Sequence, residues 1–223
     1  MTEYPLRTKR KARTREKLIT VANRIFLKKG FDDTTLEEIS DKAEVHVQTL
    51  LRHFRTKEDL ALARQQEALD LFREGLQSPD REENAEAFWW HYVRSWLPDF
   101  AMNDPDVEYL KLLETVPVLR AKYLYIQRQY QDLLAAELAK EAGLDPALDI
   151  YAQLRADTLV NVQFSTSMAL VMAHREKDIP AVCESVARIM FSHFPSREDF
   201  TADIQKSLTE QQARRLTPKQ ASV

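Results

Sequence analysis

At 223 residues the chain is long enough for one large domain or two small ones, either with a sizeable buried core. Its formal charge of −3 is unevenly spread: residues 1–60 carry 14 Lys and Arg against 10 Asp and Glu, net +4, whereas residues 61–223 carry 18 against 25, net −7. A basic head on an acidic body points to a polyanionic partner at the N-terminal end, and only three glycines with no Asn-Gly or Asp-Gly hairpin signal argue against β-structure and for an all-α chain.

Residues 1–13 are polar, with Pro5, Arg7, Lys9, Arg10, Lys11 and Arg13 in close succession, and read as a mobile basic arm. The spacing of Leu18, Ala22, Ile25 and Phe26 then predicts a helix over 14–29, stopped by Gly30. Thr34 with Glu37 and Thr35 with Glu38 form overlapping capping boxes that start a short second helix over 36–42. Ala43, Glu44 and Val45 link it to a third over 46–54, and Thr56 opens a fourth running to about 77. A fifth is expected over 83–101, kinked or ended by Pro98, a sixth over 105–115 and a seventh over 117–142 ending at Gly143. An eighth over 146–176 and a ninth over 180–194 follow, Asp104-Pro105 and Asp145-Pro146 each placing a capping Asp before a proline at the first helical position. The tail after Pro195 is polar, with helical character around 200–215, and ends in Pro218 and small residues.

The third helix carries the functional signal. At 100° per residue Leu50 and Phe54 fall about 40° apart and define an inward foot, while Gln48 and Arg52 lie opposite, flanked by Thr49 and Leu51. Two short helices joined by a tight turn and braced by a longer one make a helix-turn-helix, whose second member enters the major groove. Gln pairs bidentately with adenine, Arg with guanine, and an exposed Leu can touch a thymine methyl.

The run from Arg15 through Ala22, Phe26, Gly30-Phe31, Thr34-Thr35-Leu36, Ile39, Ala43, Thr49-Leu50, His53-Phe54 and Lys57 to Leu60 resembles the N-terminal domain of the TetR (tetracycline repressor) family. The resemblance implies that Thr35 and Lys57, at helix starts, touch phosphate. It places Val47, Gln48, Thr49, Leu51, Arg52 and His53 on or beside the groove surface. Three residues depart from the family pattern: Glu44 and Gln48 stand where glycine is common, and Leu51 where tyrosine is usual. His46 has two readings, helix cap or base contact, and His53 two, a bond to local backbone or a phosphate contact. The Arg7–Arg15 cluster is either a solvated tail or an arm that tracks phosphate.

The resemblance further implies a DNA-binding part over 1–58, a larger helical ligand-binding and dimerising part over 59–200, and a polar tail over 201–223. The expected partners are a palindromic DNA operator, a second copy joined through the last two long helices, and a small apolar or aromatic effector. Apolar stripes at Leu159, Val162, Ser165, Ser167, Ala169 and Val171, and at Val182, Val186, Ile189, Met190 and Phe194, suit either an intrachain core or that dimer face. The aromatic run from Phe88 to Tyr92 and its surroundings nominate Trp89, Tyr92, Trp96, Tyr123, Gln127, Asn161, Gln163 and Phe164 as effector contacts, with core packing as the competing reading.

Other classes find less support. The five histidines form no His-Glu-x-x-His or Glu-x-x-His pattern, and no phosphate loop or nucleophile elbow occurs, so neither catalysis, a metal nor a cofactor is expected. A helix-turn-helix shell that serves protein interaction without DNA is the remaining alternative. Cys183 stands alone, as a buried hydrophobe or a redox sensor, so no intramolecular disulfide is expected. No apolar run approaches the ~20 residues of a membrane span, and a soluble cytoplasmic protein is the expectation.

Overall fold

A computed structural model describes the backbone of residues 5–101 and 104–216 and the side chains of residues 9–97 and 105–211. The start of the expected arm, the side chain of the expected cap Asp104 and the end of the tail with Pro218 lie outside what the structure describes. Among the described residues the structure is all helical, with eleven α-helices and one 3-10 turn where the sequence reading gave nine helices.

The first helix, α1 (Pro5–Lys29), absorbs much of the expected arm. Arg, Lys and Ala propagate a helix well, and Pro5 suits a first helical position, so the basic run continues the turn pattern. Gly30, at φ +95°, ends it by donating from its N–H to Phe26 O at 2.9 Å, and the rings of Phe26 and Phe31 stack 5.3 Å apart behind the cap. Leu18, Ala22 and Phe26 are fully buried along one face of α1, which the following short helices cover.

α2 (Leu36–Lys42) is capped by Thr35, whose hydroxyl accepts the Glu38 N–H at 3.1 Å, while the Thr34 hydroxyl turns back to Gly30 O at 2.7 Å. Its end is a Schellman turn: Val45 N–H reaches Ser40 O at 3.0 Å and Glu44 N–H reaches Asp41 O at 3.1 Å. That motif needs a left-handed residue, and Glu44 supplies it at φ 54°. α3 (Val47–His53) follows, with His46 and Phe54 as its flanking residues.

The expected long fourth helix is two. α4 (Lys57–Ala61), capped by the Thr56 hydroxyl, and α5 (Ala63–Leu76) are separated at Leu62, which sits at φ −96° and ψ 10°. Leu60, Ala61, Leu62 and Ala63 are all buried, so packing on every side overrides local helix propensity at this corner.

The larger part comprises α6 (Ala85–Ala101), α7 (Asp104–Thr115), α8 (Pro117–Glu141), α9 (Ile150–Met172), α10 (Ile179–His193) and α11 (Arg197–Leu216). The backbone of α6 runs through Pro98 to Ala101. α8 packs chiefly on α9, with α5, α6 and α7 against its other sides, and α10 lies across α6 and α9. α9 starts at Ile150 and not at Pro146, because the buried Asp149 carboxylate caps it by accepting the Ala152 N–H at 3.1 Å and pairs with Arg197 at 2.6 Å. It stops at Met172, where His174 takes φ 55° in another Schellman turn before the 3-10 segment Glu176–Asp178.

Gly75 on α5 lets α6 come close: a Cβ there would lie 2.6 Å from Phe88 Cζ. On the far side of α6 the buried Arg155 pairs with Glu86, donates to Met190 O at 3.2 Å and stacks on Phe194 at 4.5 Å, clamping α6, α9 and α10 together.

Candidate nucleic-acid interface and internal cavity

α3 is anchored from beneath and open above. Leu50 is fully buried and Phe54 nearly so, while Gln48, Leu51 and Arg52 are exposed, with Leu51 at 46 %. Val47, Thr49 and His53 are half-buried at the margins. The anchoring is polar as well as apolar, since the Arg15 guanidinium lies 4.5 Å over the Phe54 ring and bonds Glu67 at 2.9 Å. One solvent-facing ridge therefore presents a carboxamide, a branched apolar tip and a guanidinium, a set able to read base edges.

Several neighbours have more specific roles than sequence spacing gave them. His46 holds the N-cap position with extended backbone, yet its side chain makes no capping bond, so that reading of it is corrected. Thr35 keeps its hydroxyl proton after accepting the Glu38 N–H, and its side chain is exposed beside the α2 start. Lys57 is drawn inward: Nζ donates to Phe31 O at 2.7 Å, Thr34 O at 2.9 Å and Asp32 O at 3.3 Å, and lies 4.3 Å over the Phe31 ring. Its protons hold the α1–α2 loop, and a phosphate contact requires the side chain to leave those carbonyls. His53 is held below the ordinary imidazole value by partial burial and by Arg15 and Lys11 nearby. Glu44 pairs with Lys17 at 2.6 Å, which lowers its carboxyl value.

A cavity of about 730 Å³ lies where α1 and α5 meet α6 to α9. Trp89, Tyr92, Trp96, Tyr123, Gln163 and Phe164 line it, whereas Gln127 and Asn161 do not and Asn161 is exposed. Spacing explains the sorting: Trp89, Tyr92 and Trp96 recur at i, i+3 and i+7 on one face of α6. Trp90 turns to Phe191 at 5.6 Å, and Phe88 covers Gly75. The walls are ring upon ring, with Phe72 behind contacting Trp89 at 5.7 Å, Tyr92 at 5.0 Å and Tyr130 at 4.9 Å. Tyr130 and Tyr92 hydroxyls meet at 3.0 Å, and Tyr92 donates onward to Ala68 O at 3.0 Å. Burial raises the phenol values of Tyr92, Tyr109, Tyr123 and Tyr130, so these groups stay neutral at physiological pH.

Cys183 is buried behind this wall, accepting from Gln163 Nε2 at 3.2 Å, and burial raises its thiol value, which favours the packing role over a redox sensor. Sequence reasoning missed the cavity residues Asn23, Gln65, Arg64, Tyr109 and Ser167. The available signal was polarity on an apolar face: Asn23 falls four residues after Ile19 and three before Phe26, and Gln65 three after Leu62 and four before Leu69.

Comparison with known proteins agrees with this geometry. Residues 18–63 match the family model described as bacterial regulatory proteins, tetR family. The HTH-type transcriptional regulator TcmR of Streptomyces glaucescens is 31 % identical over 147 residues, covering 63 % of this chain and 65 % of that protein, so the match spans just under two thirds of the relative. Among solved structures, FadR of Bacillus subtilis in complex with stearoyl-CoA superposes with a TM-score of 0.57 at 18 % identity, covering 81 % of this chain and 99 % of that one. A SmeT–triclosan complex superposes at 0.60 and 16 % identity, covering 82 % and 92 %. These structural likenesses establish the shared fold. Among the described residues no helix is long and apolar enough to cross a membrane.

Proposed function

We propose, from the premise that this chain is a member of the tetR family of bacterial regulatory proteins through residues 18–63, that it is a sequence-specific DNA-binding regulator acting in the cytoplasm as a ligand-released repressor. The observation that carries this reading is the solvent-facing ridge of Gln48, Leu51 and Arg52 on a helix moored by the buried Leu50 and Phe54. On this reading residues 1–58 bind DNA, Thr35 and the Lys57 region border phosphate, and the helical extension of α1 with Lys9, Arg10, Lys11 and Arg13 adds salt-dependent affinity. Residues 59–200 bind effector and partner, leaving 201–223 as a C-terminal extension.

The outer faces of the last long helices support a homodimer. Leu154, Ser165, Ala169 and Met172 are exposed at helical spacing on α9, and Ile189 is exposed on α10. This stripe differs from the expected one in part, since Leu159, Ser167 and Val171 pack into the chain's own core. Two-fold pairing through it would set the two α3 helices toward successive major grooves, roughly 34 Å apart on a palindrome. The cavity is the effector site, and its aromatic walls favour an aromatic ligand with a polar group, in line with the triclosan bound by the structurally similar SmeT. A ligand releases DNA only by binding the non-reading conformer more tightly.

Gel shifts with the DNA flanking the protein's own gene, across a salt series, test the reading, with sedimentation equilibrium for the dimer. The expected result is a discrete complex that survives excess random DNA; equal affinity for all sequences at every salt concentration would refute it.

A further inference from the structure

Buried polar atoms in a folded protein are almost always bonded, so those that are not ask for an explanation. Three of them sit in residues lining the cavity: Asn23 Oδ1, Gln65 Oε1 and Trp89 Nε1 are buried and without a hydrogen-bond partner. Two are acceptors and one is a donor. Trp89 is buried to within 1 % of its surface, so its N–H has no recourse to bulk water. Their origin is informative. Asn23 is on α1, the helix whose Arg15 covers the Phe54 ring at the end of α3, and Gln65 is on α5 beside the residues that tie α5 back to α1.

Those ties form one network: Glu67 bonds Arg15 at 2.9 Å, Arg64 pairs with Glu16 and approaches Glu67 at 3.8 Å, and Arg15 in turn covers Phe54 at the end of α3. Asn23 itself lies one turn from Phe26 in the middle of the head's core. A group bonded at Asn23 thus touches the helix that packs on α2 and whose Arg15 covers Phe54 at the end of the recognition helix.

We propose that the cavity takes an aromatic ligand bearing a hydroxyl-type group that both donates and accepts, and that Asn23 and Gln65, with Trp89, bond that group so that α1 senses occupancy directly. A hydroxyl donates its one proton to Asn23 Oδ1 and accepts on its two lone pairs from the indole N–H and, with the Gln65 amide turned over, from Gln65 Nε2. The surrounding rings supply stacking and exclude water, which strengthens those bonds. The inference rests on the effector reading above and adds the ligand's polar chemistry and the route by which it acts on the head.

The test uses 1-hydroxypyrene and pyrene, flat probes that differ by one hydroxyl, titrated by fluorescence into the full chain and into the Asn23→Leu, Asn23→Ala and Gln65→Leu variants. Thermal melts identify variants that fold. The expected result is a wild-type preference for 1-hydroxypyrene of roughly fivefold to tenfold, largely lost in each folded variant while pyrene affinity is kept. In gel shifts 1-hydroxypyrene releases DNA from the wild type but much less from the Asn23 variants. Equal wild-type affinity for both probes, or a preference that survives both Asn23 substitutions, overturns the proposal. Should the wild type bind no DNA, the regulatory reading fails separately, and the probe preference still decides the chemistry of the cavity.

Discussion

Arg15 and Glu67 close a 2.9 Å ion pair between α1 and α5, and the same guanidinium caps the Phe54 ring at the end of α3 at 4.5 Å. Their side chains are 32 % and 36 % exposed, so water screens the pair and leaves it a fraction of a kcal/mol. The ring contact adds about 0.5–1 kcal/mol. Arg15→Met is therefore expected to lower the unfolding free energy by about 1 kcal/mol, and Glu67→Gln by clearly less, as read by urea titration. Equal losses would mean that the ring contributes nothing.

Arg52 and Lys57 are expected to separate specificity from support. Arg52 is exposed on the reading ridge, so Arg52→Ala should cost about 1–3 kcal/mol of specific binding and relax one base position, with the melting temperature unchanged. Lys57 Nζ satisfies the carbonyls of Phe31, Asp32 and Thr34, so Lys57→Met should lower the melting temperature and weaken all DNA sequences alike. Calorimetry beside gel shifts checks both; a Lys57→Met protein with wild-type melting would contradict the internal role.

The head was legible because its signals are local. Caps at Thr35 and Thr56, the stop at Gly30 and the inward pair Leu50 and Phe54 are fixed by neighbours within a turn or two, and each stands where spacing put it. The break at Leu62 was not legible, because burial on all sides and no breaking residue causes it. Nor was the choice of Asp149 over Asp145 as the α9 cap, which depends on Arg197, distant in sequence. In the cavity, the aromatic face of α6 followed from period, but Asn23 enters from α1 in the other part of the molecule and Gln65 from the separate helix α5. Tertiary placement decides such contributions, and a polar residue on an apolar face is their only trace.

Glu44 occupies the left-handed position of the Schellman turn at φ 54°, where a side chain is disfavoured and glycine is not. Its ion pair with Lys17 is exposed to water and offsets little of that strain. Glu44→Gly is expected to raise the melting temperature by about 2–4 °C. It should also strengthen DNA binding, since a negative charge leaves the turn between the two helices of the reading motif. Differential scanning calorimetry and a salt-series gel shift provide the readouts, and a lowered melting temperature would show that the turn is unstrained.

His53 is expected to link stability and DNA affinity to pH with opposite signs. Partial burial first, then the positive charges of Arg15 and Lys11, hold its folded value below the 6.5 of an unperturbed imidazole. Between the folded value and about 6.5 the unfolded chain binds more protons than the folded one, so stability is full above about 6.5 and falls as pH drops through that window. A phosphate beside His53 acts the other way, favouring the imidazolium, so binding DNA takes up a proton and affinity grows as pH falls through the same range. His53→Gln is expected to flatten both slopes between pH 7 and pH 5, measured by urea titrations and by gel shifts at fixed ionic strength. If the variant kept the wild-type affinity slope while losing the stability slope, His53 would be a support of α3 with no phosphate partner.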